Sequence, residues 1–196
     1  MSVPSRLSMT VALVLLAFAA IAPEASAQTT GVKAGVQWTQ FKLDGSAYPG
    51  IERRPGIFGG LYWTFGEGSL MGQIEGLAGR MTVRRNGYDT DITTFDIPVL
   101  VRANLIRLPQ ADVYVAGGGA IASRFRARNV IGGAKVDITD EIEPLDVQWI
   151  VSGGVQVHRL LLDARYTRGV RNIDATTDVG AKTTTERFGV SVGYGF

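Results

Sequence analysis

The chain has no cysteine and only one histidine. Lack of cysteine excludes a disulfide, a thiolate metal site and a thiol nucleophile. The one histidine, His158, sits at a bend between two regular segments, with no serine at its own height, so it reads as a turn residue and not as the base of a Ser-His-acid arrangement. Charge of one sign is also lacking. The formal net charge is +2, and the basic and acidic residues are interspersed. That excess is too small and too dispersed for a nucleic-acid surface. Past residue 27 no apolar run is long enough to cross a bilayer as a helix. If this chain spans a membrane it must do so as a closed barrel, because open sheet edges go unsatisfied in lipid. The run Val115–Ala120 loosely suggests a dinucleotide-binding turn, but the G-x-G-x-x-G spacing is absent and Arg124-Phe125-Arg126 continues an alternating pattern where a helix would have to open.

The one long apolar run comes first. Arg6 and the amino terminus make a basic start, Met9–Ile21 is rich in Ala, Val and Leu, Pro23 interrupts it, and Ala25-Ser26-Ala27 is a small-x-small cleavage motif. This is the pattern of a secretory signal peptide over residues 1–27. Residues 28–196 then form one domain.

In that domain the dominant period is two, the mark of strands with two different faces. The last stretch is the clearest: Phe188, Val190, Val192, Tyr194 and Phe196 alternate with Arg187, Gly189, Ser191, Gly193 and Gly195. Seven earlier segments behave similarly: Gly31–Phe41, Ile57–Phe65, Leu70–Val83, Thr93–Leu105, Asp112–Arg126, Leu145–Val157 and Arg159–Thr167. Pro98 weakens the fourth of them locally. The connections alternate in length. Lys42–Gly56, Arg84–Asp91, Ala127–Pro144 and Gly169–Thr183 are long and polar; Gly66–Ser69, Ile106–Ala111 and the bend at His158 are short. Eight such strands, with long loops on one rim and tight turns on the other, predict an all-β fold, an eight-stranded antiparallel up-and-down transmembrane β-barrel.

An eight-stranded barrel has room inside only for side chains. The polar face of each strand should therefore line the lumen, where charges persist only when paired. Strand parity assigns Glu75, Arg102, Asp163 and Arg165 to the lower half, with Lys33 near the periplasmic end. It assigns Asp96, Arg124, Arg126, Asp146 and Arg187 to the outer half. These ten are the candidate internal ion-pair network. Trp38, Phe95, Phe125, Trp149, Tyr166 and Phe188 should form an outer aromatic girdle, and Phe65, Tyr194 and Phe196 a periplasmic one. The acidic residues Asp137, Asp140, Glu141 and Glu143 fall in the third long connection with a spacing that matches no calcium loop. No cofactor or metal site is expected.

Leu161–Ile173 resembles the penultimate strand and last outer loop of the PorT-like outer-membrane β-barrel family, and the Gly-Tyr-Gly-Phe ending looks like the same family. Broader similarity runs to OmpX-type and OmpA-type small barrels. The resemblance implies a bacterial outer-membrane address and contact with outer-membrane lipid and lipopolysaccharide. It also implies recognition of Tyr194 and Phe196 by the barrel-assembly machinery. The expected role is non-enzymatic, with outer loops presented to an extracellular partner or serving envelope integrity; a narrow channel for ions or small solutes is the alternative.

Overall fold

A computed structural model describes residues 29–43, 46–47, 51–85, 88–131, 134–139, 142–172 and 182–196. The signal peptide expected over residues 1–27 lies outside the described residues. Eight long strands form the wall: β1 (Thr29–Leu43), β4 (Pro55–Phe65), β5 (Leu70–Arg85), β6 (Tyr88–Arg107), β7 (Ala111–Ile131), β9 (Leu145–Val157), β10 (Leu160–Gly169) and β11 (Thr183–Gly195). Three short strands, β2 (Ser46–Ala47), β3 (Ile51–Arg53) and β8 (Ala134–Asp137), pair above the wall with β1, β5 and β7.

Each wall strand pairs antiparallel with the next, and β11 returns to β1. That last seam runs without a slip from Gly31↔Gly195 to Leu43↔Thr183, so the sheet has no open edge at membrane height. Phe196 extends it by one bond, its N–H donating to the Thr30 carbonyl at 2.9 Å. The eight-stranded closed barrel expected from the alternation is the fold. The first, third and fourth long connections leave from the rim opposite Phe196, because Leu43 pairs with Thr183 there and the Arg124 N–H reaches the Pro144 carbonyl.

The barrel inverts a soluble protein. Lys33, Glu75, Arg102 and Asp146 are almost fully buried, whereas Ile57, Leu61, Val101, Leu105, Leu162 and Phe196 are more than half exposed. Only an apolar solvent makes that distribution favourable. The aromatic rings meet in pairs on the outer face: Trp38 with Phe188, Trp149 with Tyr166, and Tyr194 with Phe196. The short turns use left-handed backbone where they must, at Gly66, Gly68 and His158, the last with φ of 53°.

Three features differ from the sequence-based expectation. Arg84–Asp91 is not a long loop: β5 and β6 remain paired up to Arg85↔Tyr88. The polar character of that stretch marks strand outside the bilayer. Pro98 stays inside β6, but the β5–β6 ladder skips from Ile74↔Val99 to Leu77↔Asp96, since proline has no N–H to donate. Finally, the β6–β7 register shifts between Thr93 and Thr94, leaving Phe125 without a partner. This bulge puts the consecutive side chains of Phe125 and Arg126 on the same, outer face.

Candidate functional site in the barrel lumen

Two tiers of charge cross the lumen. In the lower one, Arg165 on β10 donates from Nη1 to Glu75 Oε2 and from Nη2 to Glu75 Oε1, both at 2.7 Å. Lys33 on β1 donates to Glu75 Oε1 at 3.0 Å and to Asp163 Oδ1 at 3.3 Å. The Tyr114 hydroxyl donates to Asp163 Oδ2 at 2.8 Å, and Gln73 Nε2 donates to Glu75 Oε1. Two cations and two carboxylates thus balance one another with their oxygens bonded, the condition for charge to persist away from water.

In the upper tier, Arg187 on β11 donates from Nη1 to Asp96 Oδ2 at 2.6 Å and from Nη2 to Gln148 Oε1. Gln148 Nε2 donates to Asp146 Oδ2 at 3.1 Å, where Arg124 Nη2 also donates at 2.8 Å. Arg124 Nη1 reaches the Glu143 carbonyl at 3.0 Å, and Thr185 Oγ1 donates to Asp146 Oδ2 at 3.3 Å. Gly169 makes room for this: a Cβ there would stand 2.6 Å from Asp146 Oδ2.

Between the tiers, Phe58, Leu77, Pro98 and Ile150 line a cavity of about 20 Å³ that Gln37, Thr94 and Thr167 also face. That is room for about one water molecule. Above the upper tier, Met81, Ile92 and Ala127 are buried, and Phe41, Ile138 and Ile142 pack on them. Ile138 and Ile142 come from the third outer connection. They are drawn over the mouth by an Ile138 N–H bond to the Ala127 carbonyl at 2.9 Å and an Ala127 N–H bond to Thr139 Oγ1 at 3.0 Å. The sequence reading took Ala127–Pro144 as a solvated polar loop and missed this cap. The available signal was a pair of isoleucines spaced by four in an otherwise acidic segment.

Two of the ten sequence-assigned charges stand outside the two ion-paired tiers. Arg102 points into the lumen and is 2% exposed, but no carboxylate lies within 4 Å of it among the described residues. Its guanidinium carbon sits 3.9 Å from the centre of the Tyr114 ring, and its Nε donates to Asn104 Oδ1 at 3.0 Å. The tyrosine ring intervenes between Arg102 and Asp163, so the cation stacks where an ion pair was expected. Arg126 is outside the barrel altogether, turned there by the bulge at Phe125. The other eight line the lumen in the two tiers. His158 is exposed in the β9–β10 turn. Of the acidic loop residues, Asp137 accepts from the Thr139 N–H and hydroxyl, Glu143 supplies its carbonyl to Arg124, and Asp140 and Glu141 lie outside the described residues.

The sequence pattern described as outer membrane protein beta-barrel domain matches residues 30–175. The chain belongs to this family. With its apolar exterior and closed seam, this outer-membrane barrel resides in the bacterial outer membrane. Among solved structures it is similar to Neisserial surface protein A, at 11% identity and a TM-score of 0.54, covering 87% of this chain and 100% of that one. It is also similar to the outer membrane enzyme PagL, at 9% identity and a TM-score of 0.50, covering 86% and 99%. The attachment invasion locus protein Ail of Yersinia pestis aligns at 12% identity and a TM-score of 0.46 over 86% and 98%. At these identities the likeness concerns the fold. No curated protein matches the chain.

Proposed function

We propose that this barrel is a non-enzymatic, non-conducting outer-membrane protein that works through what it holds above the membrane. It resembles the PorT-like and OmpX-type small barrels in this. The observation that carries the reading is the lumen. Among the described residues, two tiers of bonded charge cross the lumen, Phe58, Leu77, Pro98 and Ile150 lie between them, and an isoleucine cap packs above, which supports a closed lumen. A second observation supports the surface role. On the outer face of β6 the apolar run from Leu105 ends at Phe95, a span of eleven residues counting both ends, which matches the ~9–11 residues a strand needs to span. The remainder, 88–94, continues upward with the tops of β5 and β7, and β3 and β8 widen this sheet. At ~3.3 Å per residue and a tilt near 45° it projects roughly 15 Å past the girdle.

The partners of this reading are outer-membrane lipid and lipopolysaccharide around the wall, the barrel-assembly machinery at Tyr194 and Phe196, and an extracellular partner at the outer sheet and loops. Planar-bilayer recording with the refolded protein tests the lumen. The expected trace has no unitary steps. Steady steps that disappear on blocking the outer mouth would establish the narrow channel in its place. A strain lacking the protein, complemented by a barrel whose 127–144 segment is replaced by a short turn, tests the surface role. Full complementation would refute it.

A further inference from the structure

The outer face of the β5–β7 sheet changes character abruptly one row above the girdle. Phe95 and Phe125 are the last lipid-facing aromatics there. The next row is Arg80, Thr93 and Arg126, directly cross-paired as Arg80↔Thr93 and Thr93↔Arg126, and all three are exposed. Directly opposed residues in a sheet share a face. Two arginines therefore flank one hydroxyl across three strands, roughly 10 Å apart at two strand spacings. The acids of this face lie higher, with Asp91 opposite Thr82 and Arg128, and Asp137 opposite Arg128. Arg80 reaches up to Asp91, whereas Arg126 has no carboxylate within 4 Å among the described residues. The cationic row is thus the one nearest the hydrocarbon. Its second arginine is there only because the bulge at Phe125 turns it outward.

We propose that Arg80, Thr93 and Arg126 form a binding site for a phosphate of the phosphorylated glycolipid of the outer leaflet. This rests on lipid being a partner of the wall, as in the preceding section, and assigns that contact to one place. The molecule whose acyl chains cover Ile97, Ile121, Phe95 and Phe125 must carry its headgroup at the height of the next row. A phosphate there meets two forked donors and a hydroxyl in a site half screened from water by the membrane.

The test uses the full mature chain refolded into phosphatidylcholine nanodiscs and titrated with diphosphoryl lipid A, monophosphoryl lipid A or phosphatidylglycerol, with bound lipid counted by native mass spectrometry. Diphosphoryl lipid A should bind best, and R80Q/R126Q should weaken it by about tenfold or more, at ~1 kcal/mol per surface cation. R107Q, which removes one positive charge at the other rim, should bind as the parent does. R126K keeps the charge and should restore most of the binding if the double variant refolds poorly. Equal binding by R80Q/R126Q and the parent overturns the site, as does loss in R107Q of the same size. Equal uptake of phosphatidylglycerol overturns the assignment to glycolipid. Residence in the outer membrane, read separately by fractionation of the same variants, fails only if the membrane address itself is wrong.

Discussion

Arg165 and Glu75 meet across the full width of the barrel. β10 and β5 are four places apart in the ring of eight, on opposite walls, and the guanidinium still closes both bonds to the carboxylate at 2.7 Å. Arg187 on β11 and Asp96 on β6 stand in the same opposed relation one tier higher. The lumen is therefore braced along two diameters, and its width equals the reach of an arginine plus an acid.

Glu75 accepts from three donors, so it is the residue whose neutralisation should cost most. Glu75→Gln leaves Arg165 and Lys33 buried opposite an amide, and breaking a buried pair in this way costs about 3–5 kcal/mol. Lys33→Met should cost less, because Arg165 still holds Glu75 and Tyr114 still holds Asp163. Urea unfolding in lipid vesicles, followed by tryptophan fluorescence, gives the order. A larger loss for the lysine variant would contradict the assignment of Glu75 as the hub.

Gly154 faces Tyr114. A Cβ at that position would lie 2.2 Å from the Leu162 carbonyl oxygen and 2.7 Å from the tyrosine hydroxyl that donates to Asp163. Gly154→Val should push β10 back at Leu162, displace that hydroxyl, unsatisfy Asp163 and destabilise the barrel by about 3 kcal/mol or more. The same unfolding measurement should show Gly153→Val, whose nearest neighbour would be 3.4 Å away, to be milder.

The cap over the mouth should loosen in acid. Hydrogen bonds from Thr139, helped by Arg128 and Arg126, hold the Asp137 carboxyl below its ordinary value of 3.8. A depressed folded-state value means that the stabilisation is complete above the unfolded value and is lost as pH falls through the folded one. The Thr139 hydroxyl so anchored is the acceptor for the Ala127 N–H. Protection of that amide from hydrogen exchange, corrected for intrinsic rates, should therefore be constant above about pH 5 and decline below about pH 4. Asp137→Asn should remove the decline.

Phe196 is 66% exposed at the periplasmic rim, beside Tyr194, and its side chain braces nothing inside the barrel. Deleting it, or making Phe196→Asp, should lower the ratio of heat-modifiable, membrane-inserted protein to periplasmic precursor while leaving synthesis and export unchanged. Normal insertion of both variants would remove the proposed role in assembly.

The strands, their two faces and the closing seam were legible in the sequence, because a period of two is a local property. Val190, Val192 and Tyr194 cannot face lipid unless Ser191 and Gly193 face inward, whatever the rest of the chain does. The same parity was enough to place nine of the ten charges in the lumen. It could not tell that Arg165 would choose Glu75 on the opposite wall, or that Arg102 would find Tyr114 first. Contacts across a barrel depend on how far every intervening strand is staggered, which no single strand records. Parity also fails at one inserted residue. The bulge at Phe125 exchanges the faces of everything beyond it, so Arg126 belongs to the membrane surface and Ala127 to the core beneath the cap. That cap, with Ile138 and Ile142 buried from a segment rich in acids, exists only because the rim of the closed barrel offers Met81 and Ile92 as an apolar seat that the unfolded loop has no means of providing.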